Sequence, residues 1–255
     1  MRVLRAFRTR KNPTWPVSEP QAGVQMSNNS TLSEGVLSRE LLSSGILQQN
    51  AALPGGGGVL WGNEQIDRSL TETMEGIAHD NIWVFGYGSL IWNPIFPVAQ
   101  SRTVKVYGFH RAFCLSSVVG RGSHDCPGLM LALDAGGSCR GVALKMGGDE
   151  IEGELRLLWR REMFAGSYIP KWVTAHSSDG NLRALAFVAN RQRPNYIGRL
   201  PDEEAVCRLS TASGAFGSNL DYLRQTHAGL AVHGIHDPHV AGLLRICESL
   251  KQDAG

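Results

Sequence analysis

Hydrophobic and polar positions change their pattern at about residue 80, and the part of the chain that follows is rich in predicted strands. Short apolar runs and stretches of alternation predict strands over 82–87, over two runs within 102–119, and over 130–133, 139–145 and 182–189. Apolar residues at helical spacing predict helices over 149–164, 202–212, 219–231 and 238–250. Because strands and helices do not alternate regularly, the pattern favours an α+β fold, with a mixed sheet or small barrel and packed helices, over a doubly wound sheet.

Three of these helices have recognisable N-terminal signals. Asp237 is a predicted N-cap because Pro238 follows it at the first helical position. Acidic residues fill the first turn of the helix over 202–212, where the helix dipole favours negative charge. Asn219 is predicted to cap the helix that follows the loop over 212–218.

Residues 1–78 have a different composition from the rest of the chain. They are rich in arginine, then in Asn, Ser and Thr, then in leucine, and the glycine run at 55–58 predicts a flexible linker. We therefore predict two regions. The first is an N-terminal extension over 1–78, basic and partly disordered, in which 33–42 and 64–77 could form short helices; the second is a folded domain over 79–255. Met26 follows the basic segment and is a candidate for the natural start of the protein.

The charge distribution argues against a nucleic-acid or membrane partner. The net charge is +2 over 255 residues, but residues 1–26 carry +4 and the remainder carries −2. A nearly neutral folded region has neither the basic footprint of a nucleic-acid-binding protein nor a membrane-binding patch. No apolar run approaches the roughly 18 residues that span a bilayer. The five cysteines lack CxxC spacing, which fits a reducing compartment, so we expect a cytoplasmic protein.

A glycine-bearing loop follows the first predicted strand, in the sequence VFGYGSLIWNP that begins at Val84. It is not a dinucleotide fingerprint, since Ile91 stands where the third glycine is needed, and it is not a nucleophile elbow, since Tyr87 stands where a glycine is needed. Backbone N–H groups at such a strand end can point at a ligand carboxylate or a developing oxyanion. A tight turn with no ligand is the alternative interpretation.

An acidic residue interrupts the apolar face of the helix predicted over 149–164. Positions 151, 155, 158 and 162 share one face, and Glu162 falls where Ile151, Leu155 and Leu158 call for another hydrophobic side chain. No cation stands three or four residues away along the helix, although a distant arginine could form a structural ion pair. A carboxylate in apolar surroundings has a raised pKa that suits proton transfer, so Glu162 is a candidate catalytic residue.

The histidines do not indicate a metal site. His233, His236 and His239 are spaced by three residues, but Gly234 and the helix start at Asp237 break the geometry between them. We expect surface and capping roles for them, and we expect neither a metal nor a cofactor.

Several segments together resemble the ChaC family of glutathione-specific γ-glutamylcyclotransferases. They are VFGYGSLIWNP from Val84, GFHRAFC from Gly108, RGVA from Arg140, WRREM from Trp159, GSY from Gly166, NYIG from Asn195 and GAFGSN from Gly214, followed by Tyr222-Leu223. The resemblance runs from about residue 80 to the C-terminus. Phe109 and Ser167 depart from the residues common in the family.

The resemblance implies a small mixed β-barrel with surrounding helices, and cleavage of glutathione into 5-oxoproline and cysteinylglycine. Glu162 matches the family's catalytic glutamate and would act as base and then as acid. The resemblance assigns substrate binding to the loop residues Gly86, Tyr87, Gly88, Ser89, Leu90 and Ile91, with Tyr196 and Arg111 as further candidates. For Tyr196 the alternative is packing of the turn at Pro194, and for Arg111 it is support of Glu162. The expected partner is a small-molecule substrate, and the sequence leaves the oligomeric state open.

Two other functions fit the same residues. The protein could be a cyclotransferase for other γ-glutamyl amines or amino acids, because only the side chains of the pocket would differ. It could also be a non-catalytic regulator of cation transport, although a pure binding module has no reason to bear the cost of burying Glu162.

Overall fold

A closed barrel of five strands lies at the centre of the fold. The computed structural model describes residues 39–43 and 60–253. The strands are β1 (Trp83–Gly86), β2 (Val98–Ser117), β3 (Gly128–Met146), β4 (Tyr168–Ser177) and β5 (Gly180–Ala189). Their order is β1-β3-β2-β4-β5, and β5 closes the barrel by pairing in parallel with β1 and β3, while the other pairs are antiparallel. The predicted mixed barrel is confirmed.

The long hairpin of β2 and β3 corrects the prediction of separate short strands over 130–133 and 139–145. β3 is continuous, and it pairs with β2 from end to end across register shifts. At one shift Gly108 lies opposite Gly136 and Gly137, and all three glycines have positive φ angles, of 85°, 99° and 73°. The exposed small residues at this bulge interrupt the apolar pattern, but they do not interrupt the strand.

Helices surround the barrel in the described residues. They are α1 (Arg39–Ser43), α2 (Asn63–Met74), α3 (Ser89–Trp92), α4 (Ile151–Met163), α5 (Asp202–Thr211), α6 (Asn219–Val232) and α7 (Pro238–Gln252). A 3-10 turn at His79–Asn81 and a small hairpin of β6 (Ser213–Gly214) and β7 (Gly217–Ser218) complete the elements. The four helices predicted after residue 148 are confirmed to within two residues at each end. The strand β4 and the short helix α3 were not predicted.

The helix caps are in part as predicted. Asp237 caps α7, since its carboxylate accepts hydrogen bonds from the amides of His239 and Val240, both at 3.1 Å. The prediction for Asn219 was wrong. Ser218 caps α6 by accepting from the Asp221 amide at 3.0 Å, whereas the buried Asn219 amide group bonds both backbone groups of Leu129 in β3.

Helix α4 packs on the barrel and is itself covered by α2. Trp159 of α4 is fully buried, with its ring edge against Phe187 of β5 at a centroid distance of 5.4 Å. Its indole N–H donates to Ser69 Oγ of α2 at 3.3 Å, and the indole of Trp172 in β4 donates to Thr73 O of α2 at 3.0 Å. Helix α2 therefore packs on the barrel region although it precedes residue 79. The domain boundary at 78/79 stays a prediction.

Several predictions fall outside the described residues. They concern the basic segment 1–26 with Met26, the glycine run 55–58 and most of the helix predicted over 33–42, of which α1 overlaps the end. The described residues all belong to one compact unit over 35–255. Within them, none of the helices combines the length and apolar character needed to cross a membrane.

Candidate active site

A cavity of about 500 Å³ opens beside the C-terminal end of α4. Its wall combines apolar side chains with hydroxyl, amide and phenol groups from the ends of β2, α3, α4 and the loop that follows β5. The charged residues of the wall are Glu162, Arg121, Arg161, Arg193 and Arg208. Among the described residues, four arginines against one glutamate give the wall a net positive charge, although Arg208 is paired with Glu204 at 2.7 Å, and a positive wall suits an anionic ligand.

Glu162 lies in this wall and is almost buried, with 11% of its side chain exposed. Its Oε1 is 3.0 Å from Nε of the adjacent Arg161, yet within the described structure this oxygen accepts no hydrogen bond of good geometry. Burial raises the pKa of Glu162, and the charge of Arg161 opposes the rise without cancelling it. A carboxyl group with a raised pKa is chemically suited to accept and to return a proton.

Arg161 joins Glu162 to the loop that follows β1. Its Nη2 donates to Ser89 Oγ at 2.8 Å and its Nη1 donates to the carbonyl oxygen of Asn93. The side chain is 5% exposed. Arg161 was not among the predicted site residues, because side chains three and four residues from Glu162 share its helix face and the adjacent Arg161 does not. The sequence feature that could have indicated Arg161 is its position directly before Glu162, since a buried carboxylate at a helix end can pair with the residue before it.

The glycine-bearing loop contributes Ser89, Trp92 and Asn93 to the cavity wall. Gly86 ends β1, where an added Cβ would lie 3.2 Å from Cγ1 of Ile91, so glycine at this position serves the tight turn between strand and helix. The Ile91 amide donates to Gly88 O at 3.0 Å, and Leu90 and Ile91 are buried. The amides of Ser89 and Leu90 belong to the first turn of α3, where amides have no acceptor within the helix.

Tyr87 supports the barrel rather than the cavity wall. Its hydroxyl donates to Phe187 O at 2.7 Å, and the side chain is buried. Burial is the largest cause that raises the pKa of Tyr87, so the phenol stays protonated. The predicted contact of its side chain with substrate is not supported by this position.

Tyr168 and Tyr222, which belong to segments that resemble the ChaC family, also line the cavity. Tyr168 donates to Leu131 O at 3.0 Å, and Tyr222 accepts from the Leu131 amide at 3.4 Å. Burial raises the pKa of Tyr222 to about 12 and that of Tyr168 well above 10, with Glu162 adding to both shifts. An added Cβ at Gly88 would lie 3.4 Å from the Tyr222 hydroxyl, so this ring lies against the loop.

Arg111 and Tyr196 do not line the cavity. Arg111 is 4% exposed and donates to Tyr87 O at 2.5 Å, to Asp237 Oδ2 at 2.5 Å and to Arg140 O at 2.7 Å, so it supports the loop from behind. The Tyr196 hydroxyl donates to Asp134 Oδ2 at 2.9 Å, away from Glu162. The structure thus brings Glu162 and Ser89 together in the cavity wall. It places Arg111 and Tyr196 elsewhere.

The histidines singled out in the sequence are dispersed. His239 Nε2 lies 3.4 Å from Asp202 Oδ1, and His233 follows the last turn of α6. In residues 39–43 and 60–253, no group of three or more His, Cys, Asp or Glu side chains is arranged to hold a metal ion.

Comparison with known proteins identifies the family. The family model described as ChaC-like protein matches residues 82–250. The glutathione-specific γ-glutamylcyclotransferase of Escherichia coli is 38% identical over 188 residues, which cover 73% of this chain and 81% of the relative. The human glutathione-specific γ-glutamylcyclotransferase 1 is 35% identical over 170 residues, covering 64% and 77%.

A solved structure shows the same fold. The yeast γ-glutamyl cyclotransferase specific to glutathione superposes with a TM-score of 0.60 at 20% identity, over 66% of this chain and 96% of the yeast chain. The fold and the sequence matches agree, and the chain belongs to the ChaC family.

Proposed function

We propose that this protein is a γ-glutamylcyclotransferase that cleaves glutathione into 5-oxoproline and cysteinylglycine, with Glu162 as its proton shuttle. The relatives named above carry this activity in their names. The observation that carries the assignment of Glu162 is a nearly buried carboxyl group with a raised pKa, in the wall of a positively charged cavity beside Ser89.

The substrate supplies its own nucleophile. The free α-amine of a γ-glutamyl group reaches the γ-carbonyl carbon through a five-membered ring, so a new C–N bond forms as the amide bond to cysteine breaks. Holding the chain in the curled conformation removes rotational freedom before the reaction, and this can contribute several kcal/mol or more to the rate. No atom of water and no nucleophile of the enzyme enters the product.

Proton transfer is the work that this reaction leaves to the protein. At neutral pH the α-amine is mostly protonated, and ionised Glu162 accepts the proton that must leave before attack. The attacking nitrogen loses a second proton as the lactam forms. The departing nitrogen of cysteinylglycine gains two protons, one of them returned by protonated Glu162, and leaves as an ammonium group. A raised pKa serves both steps, because the group must be ionised for the first and a good donor for the second.

The reaction also requires that the protein stabilise the negative charge of the tetrahedral intermediate. The γ-carbonyl oxygen becomes negative on attack, and preorganised donors facing it stabilise the transition state. The Ile91 amide is engaged by Gly88, so the first-turn amides of Ser89 and Leu90 are the donors that we assign to this role. The remaining arginines of the wall favour the anionic tripeptide over neutral peptides.

Release of 5-oxoproline and cysteinylglycine from reduced glutathione tests this proposal. Glu162→Gln keeps the shape of the side chain but cannot shuttle a proton, so we expect a loss of at least about a hundredfold in kcat. The matched control is Glu152→Gln on the same helix, since Glu152 is 65% exposed and forms an ion pair with Arg156 at the surface. Equal turnover by the wild type and Glu162→Gln would remove Glu162 from the mechanism.

The same assay separates glutathione from other γ-glutamyl substrates. Turnover of γ-glutamyl-alanine at a higher kcat/KM than glutathione would favour a cyclotransferase for γ-glutamyl amino acids. Absence of turnover with both substrates would favour a binding protein.

A further inference from the structure

The hydroxyl group of Tyr222 carries a hydrogen that no residue within 39–43 and 60–253 accepts. Tyr222 is only 2% exposed, although it lines the cavity. Its oxygen accepts from the Leu131 amide at 3.4 Å, and within the described residues this is the hydroxyl's one hydrogen bond. A buried hydroxyl hydrogen is costly to leave without an acceptor, so its direction toward a ligand site calls for an explanation.

Two other tyrosines near the cavity use their hydroxyl hydrogens within the protein. Tyr168 also lines the cavity, and its hydroxyl donates to Leu131 O at 3.0 Å. The hydroxyl of Tyr87 donates to Phe187 O at 2.7 Å. Tyr222 differs from both because its oxygen accepts from the backbone instead of donating to it. Its hydrogen is therefore left for a ligand.

Packing and backbone contacts fix the Tyr222 ring before a ligand arrives. The edges of the rings of Trp92 and Phe113 lie against it, at centroid distances of 6.2 and 6.4 Å. Three residues earlier in α6, the buried side chain of Asn219 bonds both backbone groups of Leu129. Helix α6 is thus tied to β3. A donor that is held in this way stabilises developing charge without having to reorganise.

The surroundings of the hydroxyl indicate which substrate atom it meets. A Cβ added at Gly88, the residue directly before Ser89, would lie 3.4 Å from the hydroxyl oxygen. The hydroxyl also interacts electrostatically with Glu162, whose charge raises the pKa of Tyr222. In the proposed reaction Glu162 serves the nitrogens bonded to the γ-carbonyl carbon, and the Ser89 amide faces the oxygen on that carbon. A hydroxyl that adjoins this loop and interacts with Glu162 lies where the same oxygen is expected.

We propose that the Tyr222 hydroxyl donates a hydrogen bond to the γ-carbonyl oxygen as this oxygen becomes negative, an inference that rests on the proposed function. Tyr222 is then a catalytic residue that acts with the amides of Ser89 and Leu90. The phenol keeps its proton throughout, so no bond to hydrogen is broken in this step. Burial raises the pKa of Tyr222 to about 12, and the hydroxyl is therefore a donor at neutral pH. Tyrosine hydroxyls are among the side-chain groups that can form an oxyanion hole.

Turnover of glutathione by Tyr222→Phe is the first test, since this variant keeps the ring and removes the hydroxyl. We expect kcat to fall by about a hundredfold, the effect typical of losing one donor to an oxyanion. KM should change little, because the hydrogen bond strengthens only as the oxygen gains charge. The matched control is Tyr196→Phe, which removes a hydroxyl that bonds Asp134 away from the cavity. A folded Tyr222→Phe protein with the kcat of the control would overturn the inference.

Binding of glutathione separates a contact made in the transition state from one made to the bound substrate. Calorimetry compares Glu162→Gln with Glu162→Gln/Tyr222→Phe, neither of which is expected to turn over the ligand. We expect the two affinities to agree within about threefold, because the γ-carbonyl oxygen is neutral in the bound substrate. A loss of affinity as large as the loss of kcat would show that the hydroxyl binds another group of the substrate, and it would overturn the inference.

Circular dichroism establishes that each variant is folded. If Tyr222→Phe does not fold, 3,5-difluorotyrosine placed at position 222 decides, because it keeps the hydroxyl and lowers the pKa of the phenol. An ionised phenol cannot donate, so kcat should then fall with rising pH while the wild type is still active. The described titratable groups that interact with Tyr222 are Glu162, Arg161, Arg121, Tyr87 and Tyr168. They do not titrate in this range, since the arginines stay protonated, Glu162 stays ionised and burial raises the pKa of both tyrosines well above 10. An alkaline limb that did not move would overturn the inference.

Turnover by the wild type distinguishes a failure of this inference from a failure of the proposed function. A wild type that releases 5-oxoproline from glutathione beside an equally active, folded Tyr222→Phe protein would overturn the role of Tyr222 alone. A wild type without any turnover of glutathione would overturn both.

Discussion

Nη2 of Arg161 donates a hydrogen bond to Oγ of Ser89 at 2.8 Å, so the residue that precedes Glu162 contacts the loop that follows β1 directly. The same guanidinium bonds the carbonyl of Asn93 and lies 3.0 Å from the carboxylate of Glu162. One side chain thus sets both the position of Glu162 relative to the loop and part of its electrostatic environment. A change at Arg161 is therefore expected to alter acid–base behaviour as well as rate.

The first prediction concerns the pH dependence of that rate. Arg161 opposes the rise in the pKa of Glu162, so Arg161→Gln should raise this pKa further. The limb of the kcat/KM profile that reports ionisation of Glu162 should move to higher pH, with activity at pH 7 falling by about tenfold or more. Arg161→Lys should keep the limb near that of the wild type. A uniform loss of rate with an unmoved limb would show that Arg161 acts through position alone.

The second prediction concerns the ion pair behind the loop. Burial acts to raise the pKa of Asp237, but hydrogen bonds from Val240 and Arg111 outweigh it, and the net pKa lies below 3.8. A carboxyl group whose pKa is lowered by folding stabilises the protein above its unfolded pKa, and this contribution is lost as pH falls through the folded pKa. Asp237→Ala removes the helix cap and the partner of a buried cation, at a cost of about 2–4 kcal/mol at pH 7.

The measurement is the free energy of unfolding in urea at pH 7 and again below pH 3.8. The difference between Asp237→Ala and the wild type should shrink at the lower pH, because the wild-type carboxyl group is then increasingly protonated. Asp253→Ala at the exposed end of α7 is the control and should change stability by less than about 0.5 kcal/mol. A difference that did not depend on pH would contradict a charged role for Asp237.

The third prediction concerns Tyr196, whose hydroxyl bonds Asp134 outside the cavity. Tyr196→Phe should leave kcat/KM within about twofold of the wild type and should lower stability by about 1.5–3 kcal/mol, because one hydrogen bond to a charged group is lost. Tyr107→Phe is the matched control, since Tyr107 is 58% exposed. A tenfold rise in KM with Tyr196→Phe would instead restore its proposed contact with substrate.

The spacing of apolar residues along the chain predicted the helices and strands that bury one regular face. Helix α4 could be placed because Leu155 and Leu158 recur at helical spacing, and the departure from that spacing singled out Glu162. The start of α7 followed from Asp237 and Pro238, since a cap acts within one turn. These features depend on neighbours in sequence, which is why the sequence sufficed.

Features that depend on distant contacts were not predictable in this way. β4 has partly exposed residues on both faces and so gives no clear alternation. Asn219 looked like a cap, yet its amide group completes the hydrogen bonding of Leu129, which is 90 residues away. Arg111 looked like a candidate for the cavity, and only the barrel geometry shows that Asp237 faces it.

The last prediction concerns the N-terminal boundary of the folded domain. The sequence placed this boundary at 78/79, but α2 buries Ile66, Leu70 and Met74 against the rest of the fold. Burial of each such side chain stabilises by about 1.5–3 kcal/mol, so a chain lacking residues 1–78 should lose roughly 5 kcal/mol or more. Such a loss approaches the whole stability of an ordinary domain.

The cavity should be affected as well, because Leu60 lines it and the Trp61 amide donates to Phe164 O at 2.9 Å, next to the end of α4. Urea unfolding and 5-oxoproline release are compared for the full chain, a chain lacking residues 1–34 and a chain lacking 1–78. We expect only the longer deletion to lose cooperative unfolding and activity together. A chain beginning at residue 79 that unfolds at the same urea concentration as the one beginning at residue 35 would instead support the boundary at 78/79, and α2 would then be a covering helix that the barrel does not need.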